Sequence, residues 1–171
     1  MVDSFIRDVP DFPKEGILFK DITPLLQSPE GLSQAIDGLV AAVDPSTYDI
    51  VCGIESRGFI FGTALAHKVG KGFVPIRKPG KLPWKTESES YQLEYGSDTI
   101  EIHTDAAEKG KRFLMVDDLL ATGGTMKASC ELVQRTGADI AGITVLIELN
   151  FLHGREQLEG FGEVHSVLKY D

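Results

Sequence analysis

Apolar residues along the chain change their spacing several times, and each change marks a predicted element. After Ser28-Pro29-Glu30, the residues Leu32, Ala35, Ile36, Leu39, Val40 and Val43 recur at helical intervals. That spacing predicts a helix with Ser28 as N-cap and Pro29 at its first position. Beyond Asp44-Pro45 the pattern becomes a continuous run, Ile50-Val51-Cys52-Gly53-Ile54, as expected of a strand buried on both faces. Glu55-Ser56-Arg57-Gly58 then turns the chain into a helix carrying Phe61, Leu65 and Val69 and closing near Gly70. Further apolar runs predict strands at 73–76, 113–116 and 140–149, with a helix over 124–135. Pro75 costs the 73–76 strand one ladder donor. Residues 91–95 and 99–103 alternate around Gly96-Ser97-Asp98, a hairpin pattern. The stretch 77–89 reads as polar and turn-rich. The first 28 residues, broken by prolines at 10, 13 and 24, predict irregular chain wrapping over a core.

Strands alternating with helices imply an α/β fold with a parallel central sheet flanked by helices. No repeat or linker-like stretch interrupts the 171 residues, so 1–171 reads as a single domain. Parallel sheets bind ligands beyond the carboxyl ends of their strands. Three polar loops fall there: 55–58, 77–85 and 117–125.

The last of these carries the most chemistry. Asp117-Asp118-Leu119-Leu120-Ala121-Thr122-Gly123-Gly124-Thr125 leads from a strand into a helix. Gly123 and Gly124 allow positive φ and close backbone approach to a ligand. Thr122 and Thr125 add hydroxyls, and the helix start adds unpaired N–H groups and a favourable dipole. This is a cradle for a phosphate monoester. Two carboxylates beside it would repel phosphate, but a carboxylate also accepts hydrogen bonds from a vicinal diol. A ribose 5-phosphate group satisfies both features. A Walker A loop is excluded because Gly-Lys-Ser/Thr is absent, and no GxGxxG suggests a dinucleotide.

Charge changes the picture locally. The chain has 17 Lys+Arg against 26 Asp+Glu, a formal net charge of −9. That total argues against non-specific binding to nucleic acid or anionic membrane. Arg77, Lys78, Lys81 and Lys85 nevertheless form a basic run without an intervening acid. Such a run is either a solvated face or a holder of a polyanion; its place after a strand end favours the second. Cys52 and Cys130 lack CxxC spacing and read as free thiols of a reducing compartment. No leader pattern opens the sequence and no apolar run approaches membrane-spanning length, so a soluble, cytoplasmic protein is expected. The four histidines, at 67, 103, 153 and 165, show no metal-ligand spacing.

Val116 to Thr125 resembles the phosphoribosyl-pyrophosphate (PRPP) motif of type I phosphoribosyltransferases, in the form used by the adenine phosphoribosyltransferases of that family. The likeness extends over nearly the whole chain. Asp11-Phe12-Pro13 with Gly16-Ile17-Leu18-Phe19-Lys20-Asp21-Ile22-Thr23-Pro24 resembles the family's purine-covering segment, here 1–27. Glu55-Ser56-Arg57-Gly58-Phe59 is similar to its pyrophosphate loop. Arg77-Lys78-Pro79-Gly80-Lys81-Leu82-Pro83 and Tyr91-Gln92-Leu93-Glu94-Tyr95-Gly96 resemble its basic loop and mobile catalytic hairpin, here 78–103.

The resemblance implies the type I phosphoribosyltransferase fold and the conversion of adenine and PRPP to AMP and pyrophosphate in purine salvage. Asp117, Asp118, Ala121, Thr122, Gly123, Gly124 and Thr125 would bind ribose 5-phosphate. Glu55, Ser56, Arg57, Arg77, Lys78 and Lys81 would hold the pyrophosphate, with a cis peptide at Glu55-Ser56. Leu18, Phe19 and Lys20 would hold adenine, Phe19 by stacking and its neighbours through their backbones. Glu94, Tyr95 and Arg57 would be catalytic, Glu94 exchanging a proton at purine N7. Magnesium is expected, carried mainly by PRPP, pyrophosphate and water, and a homodimer is implied. Two rivals stay open: another base, such as xanthine or orotate, and a non-catalytic PRPP sensor. A sensor would usually carry a nucleic-acid-binding segment, for which the chain shows no broad basic face.

Overall fold

The computed structural model describes residues 1–93 and 96–171. They fall into two compact units, Met1–Gly38 and Leu39–Asp171.

In the first unit, β1 (Arg7–Pro10) pairs antiparallel with β2 (Leu18–Asp21), so the opening segment is not the irregular chain its prolines suggest. Side chains fasten the pair across both strands: Arg7 to Asp21 at 2.5 Å and Lys20 to Asp8 at 2.6 Å. The connection is a tight one in which Asp11, at φ 56°, accepts the Gly16 N–H at 2.8 Å. A short helix α1 (Thr23–Gln27) follows, starting where Asp21 accepts the Thr23 N–H. Helix α2 (Pro29–Ala42) begins as its sequence predicts: Ser28 Oγ accepts the Gly31 N–H at 3.0 Å.

The second unit is built on a five-stranded, wholly parallel sheet in the order β4-β3-β7-β8-β9. Its strands are β3 (Ile50–Ile54), β4 (Gly72–Ile76), β7 (Arg112–Leu120), β8 (Asp139–Leu149) and β9 (Val164–Tyr170). Helix α3 (Gly58–Val69) carries β3 to β4, and α4 (Gly124–Arg135) carries β7 to β8. Pro75 is tolerated because β4 is an edge strand. Gly53 on β3 and Gly62 on α3 leave room for the Phe73 ring of β4: a Cβ at either would meet it within 2.8 Å. Gly70, at φ 70°, closes α3. Apolar side chains from β3, β7, β8 and α4 form the core, among them Ile54, Phe113, Met115, Leu132 and Ile143.

β5 (Thr86–Gln92) and β6 (Ser97–His103) form the hairpin. Residues 86–90, turn-rich by composition, are strand here, paired with 99–103. Ile100 and Ile102 bury one face of β6 in the core, while Arg135 ties α4 to Glu89 and to the Ser88 carbonyl. Two other elements depart from the sequence pattern: β7 runs on through Asp117 and Asp118 to Leu120, and β9 has no counterpart in the predicted strands. Among the described residues, no helix is long and apolar enough to cross a membrane.

Candidate active site

The connection from β3 runs through α3 to one side of the sheet, and that from β7 runs through α4 to the other. Adjacent strands that depart in opposite directions leave a crevice between their carboxyl ends. Here the crevice is a cavity of about 620 Å³. The turn after β3 supplies Glu55, Ser56 and Arg57, and the end of β7 with the start of α4 supplies residues 117–126. Lys78 enters from the segment after β4, and Tyr91, Leu93 and Asp98 from the hairpin.

Both acids of the pair belong to β7. Asp118 is buried, and its carboxylate meets Arg57 Nε at 2.7 Å. Asp117 is half-buried and accepts the Asp118 N–H at 2.9 Å. Enclosure by surrounding protein, and then the Asp118 carboxylate, push Asp117 well above the usual carboxylate range. The repulsion that two carboxylates would exert on a phosphate is thereby reduced: one is paired with a cation, and enclosure disfavours charge on the other. Gly58 makes this packing possible, since a Cβ there would lie 2.7 Å from Asp117 Oδ1. At the other end of the loop Gly123, at φ 87°, is the N-cap of α4, and the residues of the first turn, with N–H groups left unpaired by the helix, line the cavity.

The turn after β3 is braced by the basic segment. Glu55 accepts the Lys78 N–H at 2.8 Å and Arg77 Nε at 3.2 Å. Burial alone would raise Glu55, but those two donors outweigh it and hold the carboxyl below its ordinary value. The Glu55-Ser56 peptide is cis. Lys78 Nζ is paired with Asp98, which also accepts from the Tyr91 hydroxyl at 3.3 Å. Burial acts to lower Lys78, yet Asp98 and Tyr91 overcome it, so the ammonium is held more firmly than usual. Thr125 Oγ1 donates to the Tyr91 hydroxyl at 3.1 Å, linking the hairpin to the 117–125 loop.

The cavity thus brings together Glu55, Ser56, Arg57, Lys78, Asp117, Asp118, Ala121, Thr122, Gly123, Gly124 and Thr125. Arg77 and Lys81 are not among its lining residues. Arg77 is spent on Glu55 and on the Lys81 carbonyl, and Lys81 is exposed. Leu18, Phe19 and Lys20 lie on β2 of the first unit, where Phe19 meets Phe12 edge-on at 5.1 Å. Phe19 therefore sits on a paired strand rather than in irregular chain. Glu94 and Tyr95 lie outside the described residues. Tyr91 and Asp98 also line the cavity: Tyr91 opens the 91–96 motif without a role assigned to it, and Asp98, expected in the turn, lies on β6 opposite Tyr91. Alternation along 91–95 points to Tyr91, whereas nothing in the sequence marks Asp98.

The phosphoribosyl transferase domain family matches residues 22–159. An adenine phosphoribosyltransferase of Desulfitobacterium hafniense is 55% identical over 168 residues, 98% of this chain and 96% of that protein. One from Solidesulfovibrio magneticus is 59% identical over 159 residues, 93% of each chain. The crystal structure of adenine phosphoribosyltransferase from Thermoanaerobacter pseudethanolicus matches with a TM-score of 0.95 at 48% identity, covering 99% of this chain and 98% of that one. The Saccharomyces cerevisiae enzyme, solved with adenine and an imino-altritol bisphosphate, matches with a TM-score of 0.92 at 38% identity, covering 97% and 96%. The chain belongs to the phosphoribosyltransferase family and groups with its adenine phosphoribosyltransferases.

Proposed function

We propose that the cavity transfers the phosphoribosyl group of PRPP to adenine, giving AMP and pyrophosphate in purine salvage. The observation that carries this reading is the convergence, in one cavity, of the 117–125 loop with Arg57 and Lys78. The first turn of α4 and the hydroxyls of Thr122 and Thr125 hold the 5-phosphate, and Asp117 with Asp118 hold the ribose hydroxyls. Arg57, Lys78 and the Ser56 backbone face the pyrophosphate and neutralise it as it departs. The bond from ribose C1 to pyrophosphate oxygen breaks while adenine N9 bonds to C1, and the ring proton that adenine gives up passes to Glu94 or to water. No covalent nucleophile is required; positioning and leaving-group charge carry the reaction.

Magnesium fits this site as a companion of the substrate. The lining carboxylates of Glu55, Asp98 and Asp118 already face Arg77, Lys78 and Arg57 respectively, so diphosphate oxygens and water are its natural ligands. Bound there, it would screen the charge of the leaving group. Arg77 and Lys81 belong to the same proposal as longer-range cations around the diphosphate. Leu18, Phe19 and Lys20 remain the proposed adenine contacts and 1–27 the purine-covering segment. Glu94 and Tyr95 on the proposed mobile loop 78–103 complete the catalytic set with Arg57. A homodimer in the cytoplasm is part of the reading, the latter supported by the buried free thiols Cys52 and Cys130.

The test supplies magnesium, PRPP and one base at a time: adenine, guanine, xanthine or orotate. AMP from adenine, with little turnover of the others, is expected. Turnover of another base in place of adenine would overturn the assignment.

A further inference from the structure

The loop that would cradle the 5-phosphate does not stand alone. A Cβ on Gly154 would lie 2.1 Å from the Ala121 carbonyl oxygen and 3.0 Å from the Gly123 nitrogen. Reciprocally, a Cβ on Gly123 would lie 2.3 Å from the Gly154 carbonyl oxygen. Two backbones distant in sequence therefore touch with no room for a side chain on either.

The residue after Gly154 is fastened at several points. Arg155 donates from Nε to one oxygen of Glu148 at 2.9 Å and from one terminal nitrogen to the other at 2.5 Å. Its other terminal nitrogen reaches the Val164 carbonyl at 2.5 Å, and Ser166 Oγ bonds the same Glu148 carboxylate. Glu148 is only 4% exposed, at the carboxyl end of β8, so this fork is anchored on the sheet itself. Leu158, at the end of the same turn, is buried in the core cluster that also holds Leu120 and Met126, the residues flanking the phosphate loop.

We propose that the 154–158 turn is a backstop for the phosphate loop, with Gly154 and Arg155 acting as positioning residues for the ribose 5-phosphate group. Arg155 sets where Gly154 stands, and Gly154 sets where the Ala121 carbonyl and the Gly123 N–H stand. The inference rests on the proposed function for the identity of the ligand. A purely structural clamp would lower stability and leave substrate preference alone; a backstop shifts the phosphate donors and weakens one substrate selectively.

Arg155→Lys and Gly154→Ala test this, with Arg112→Lys as control. Arg112 holds Asp49 at the opposite end of β7, at 2.9 Å, far along the strand from the loop. Ribose 5-phosphate binding is measured by calorimetry, KM for PRPP and for adenine by initial rates, and Tm by thermal melting. Arg155→Lys should weaken ribose 5-phosphate binding and raise the PRPP KM by about 10-fold, and Gly154→Ala by about 100-fold, as befits a displacement near 1 Å. The adenine KM should stay within about twofold and Arg112→Lys should leave both KM values unchanged. Unaltered ribose 5-phosphate binding in Arg155→Lys, or equal rises in both KM values, would overturn the backstop, whether or not Gly154→Ala folds. Failure of the wild-type chain to make AMP would instead strike the proposed function, while sugar-phosphate binding would still judge the backstop.

Discussion

Replacing Asp117 and Asp118 by asparagine tests the proposed diol contact separately from the rest of the cavity. The acids sit side by side at the end of β7, one buried against Arg57 and the other half-buried beneath Gly58. A hydrogen bond from a sugar hydroxyl to a charged carboxylate is worth about 1.5–3 kcal/mol, or roughly 10- to 150-fold in affinity. An opposing effect comes from removing negative charge beside a polyanion. It is small here because Arg57 already stands 2.7 Å from Asp118. The double variant should therefore lose about 10- to 150-fold in kcat/KM for PRPP at saturating adenine. The sharper readout compares ribose 5-phosphate with 2-deoxyribose 5-phosphate by calorimetry. The wild-type chain should prefer the ribose form, and the variant, whose amide oxygens still accept but carry no charge, should lose most of that preference. A variant that melts as the wild type does and discriminates between the two sugars as strongly as the wild type would refute the diol assignment.

Two further predictions concern stability. Asp117 holds its proton in the folded chain well above its ordinary value of 3.8, so folding takes up a proton between the two values. Wild-type stability therefore falls as pH rises through that window, and Asp117→Asn escapes the loss. The Tm advantage of Asp117→Asn should grow as pH is raised from about 4 and then level off; a difference constant with pH would contradict it. Gly53→Ala would place a methyl 2.7 Å from the Phe73 ring and 3.0 Å from the Gly58 carbonyl oxygen. Overpacking of this kind costs about 1–3 kcal/mol, and an unchanged urea midpoint would show that the Phe73 ring moves aside without cost.

The elements legible in the sequence are those whose burial writes a period. Ile50–Ile54 is apolar on both faces, and Gly124–Arg135 starts at a glycine pair and ends with Arg135. The hairpin strand Thr86–Gln92 was hidden because Thr86-Glu87-Ser88-Glu89-Ser90 is mostly solvated, and pairing rather than apolar alternation makes it a strand. β1 and β2 are short, proline-bounded and held by ion pairs across the strands. β9 is an edge strand with polar residues among its apolar ones, and it depends on β8 for its register.

The site divides in the same way. Asp117-Asp118 with Gly123-Gly124 is local, so spacing alone reveals it. Lys78 and Arg77 are neighbours in one basic run, yet the turn after β4 sends Lys78 to the cavity and Arg77 to Glu55. Which cation faces a ligand depends on that turn, which composition does not encode. Gly154 is an isolated glycine in the sequence, and only the approach of Ala121 gives it a role.

The proposed activity of this cavity is to make a nucleotide from a base and PRPP. Its most direct test incubates the wild-type chain with adenine, PRPP and magnesium and quantifies all products by chromatography. One AMP and one pyrophosphate should form for each adenine consumed, with no product when PRPP is replaced by ribose 5-phosphate. Adenine left unconsumed while PRPP binds, or PRPP broken down without AMP, would contradict it.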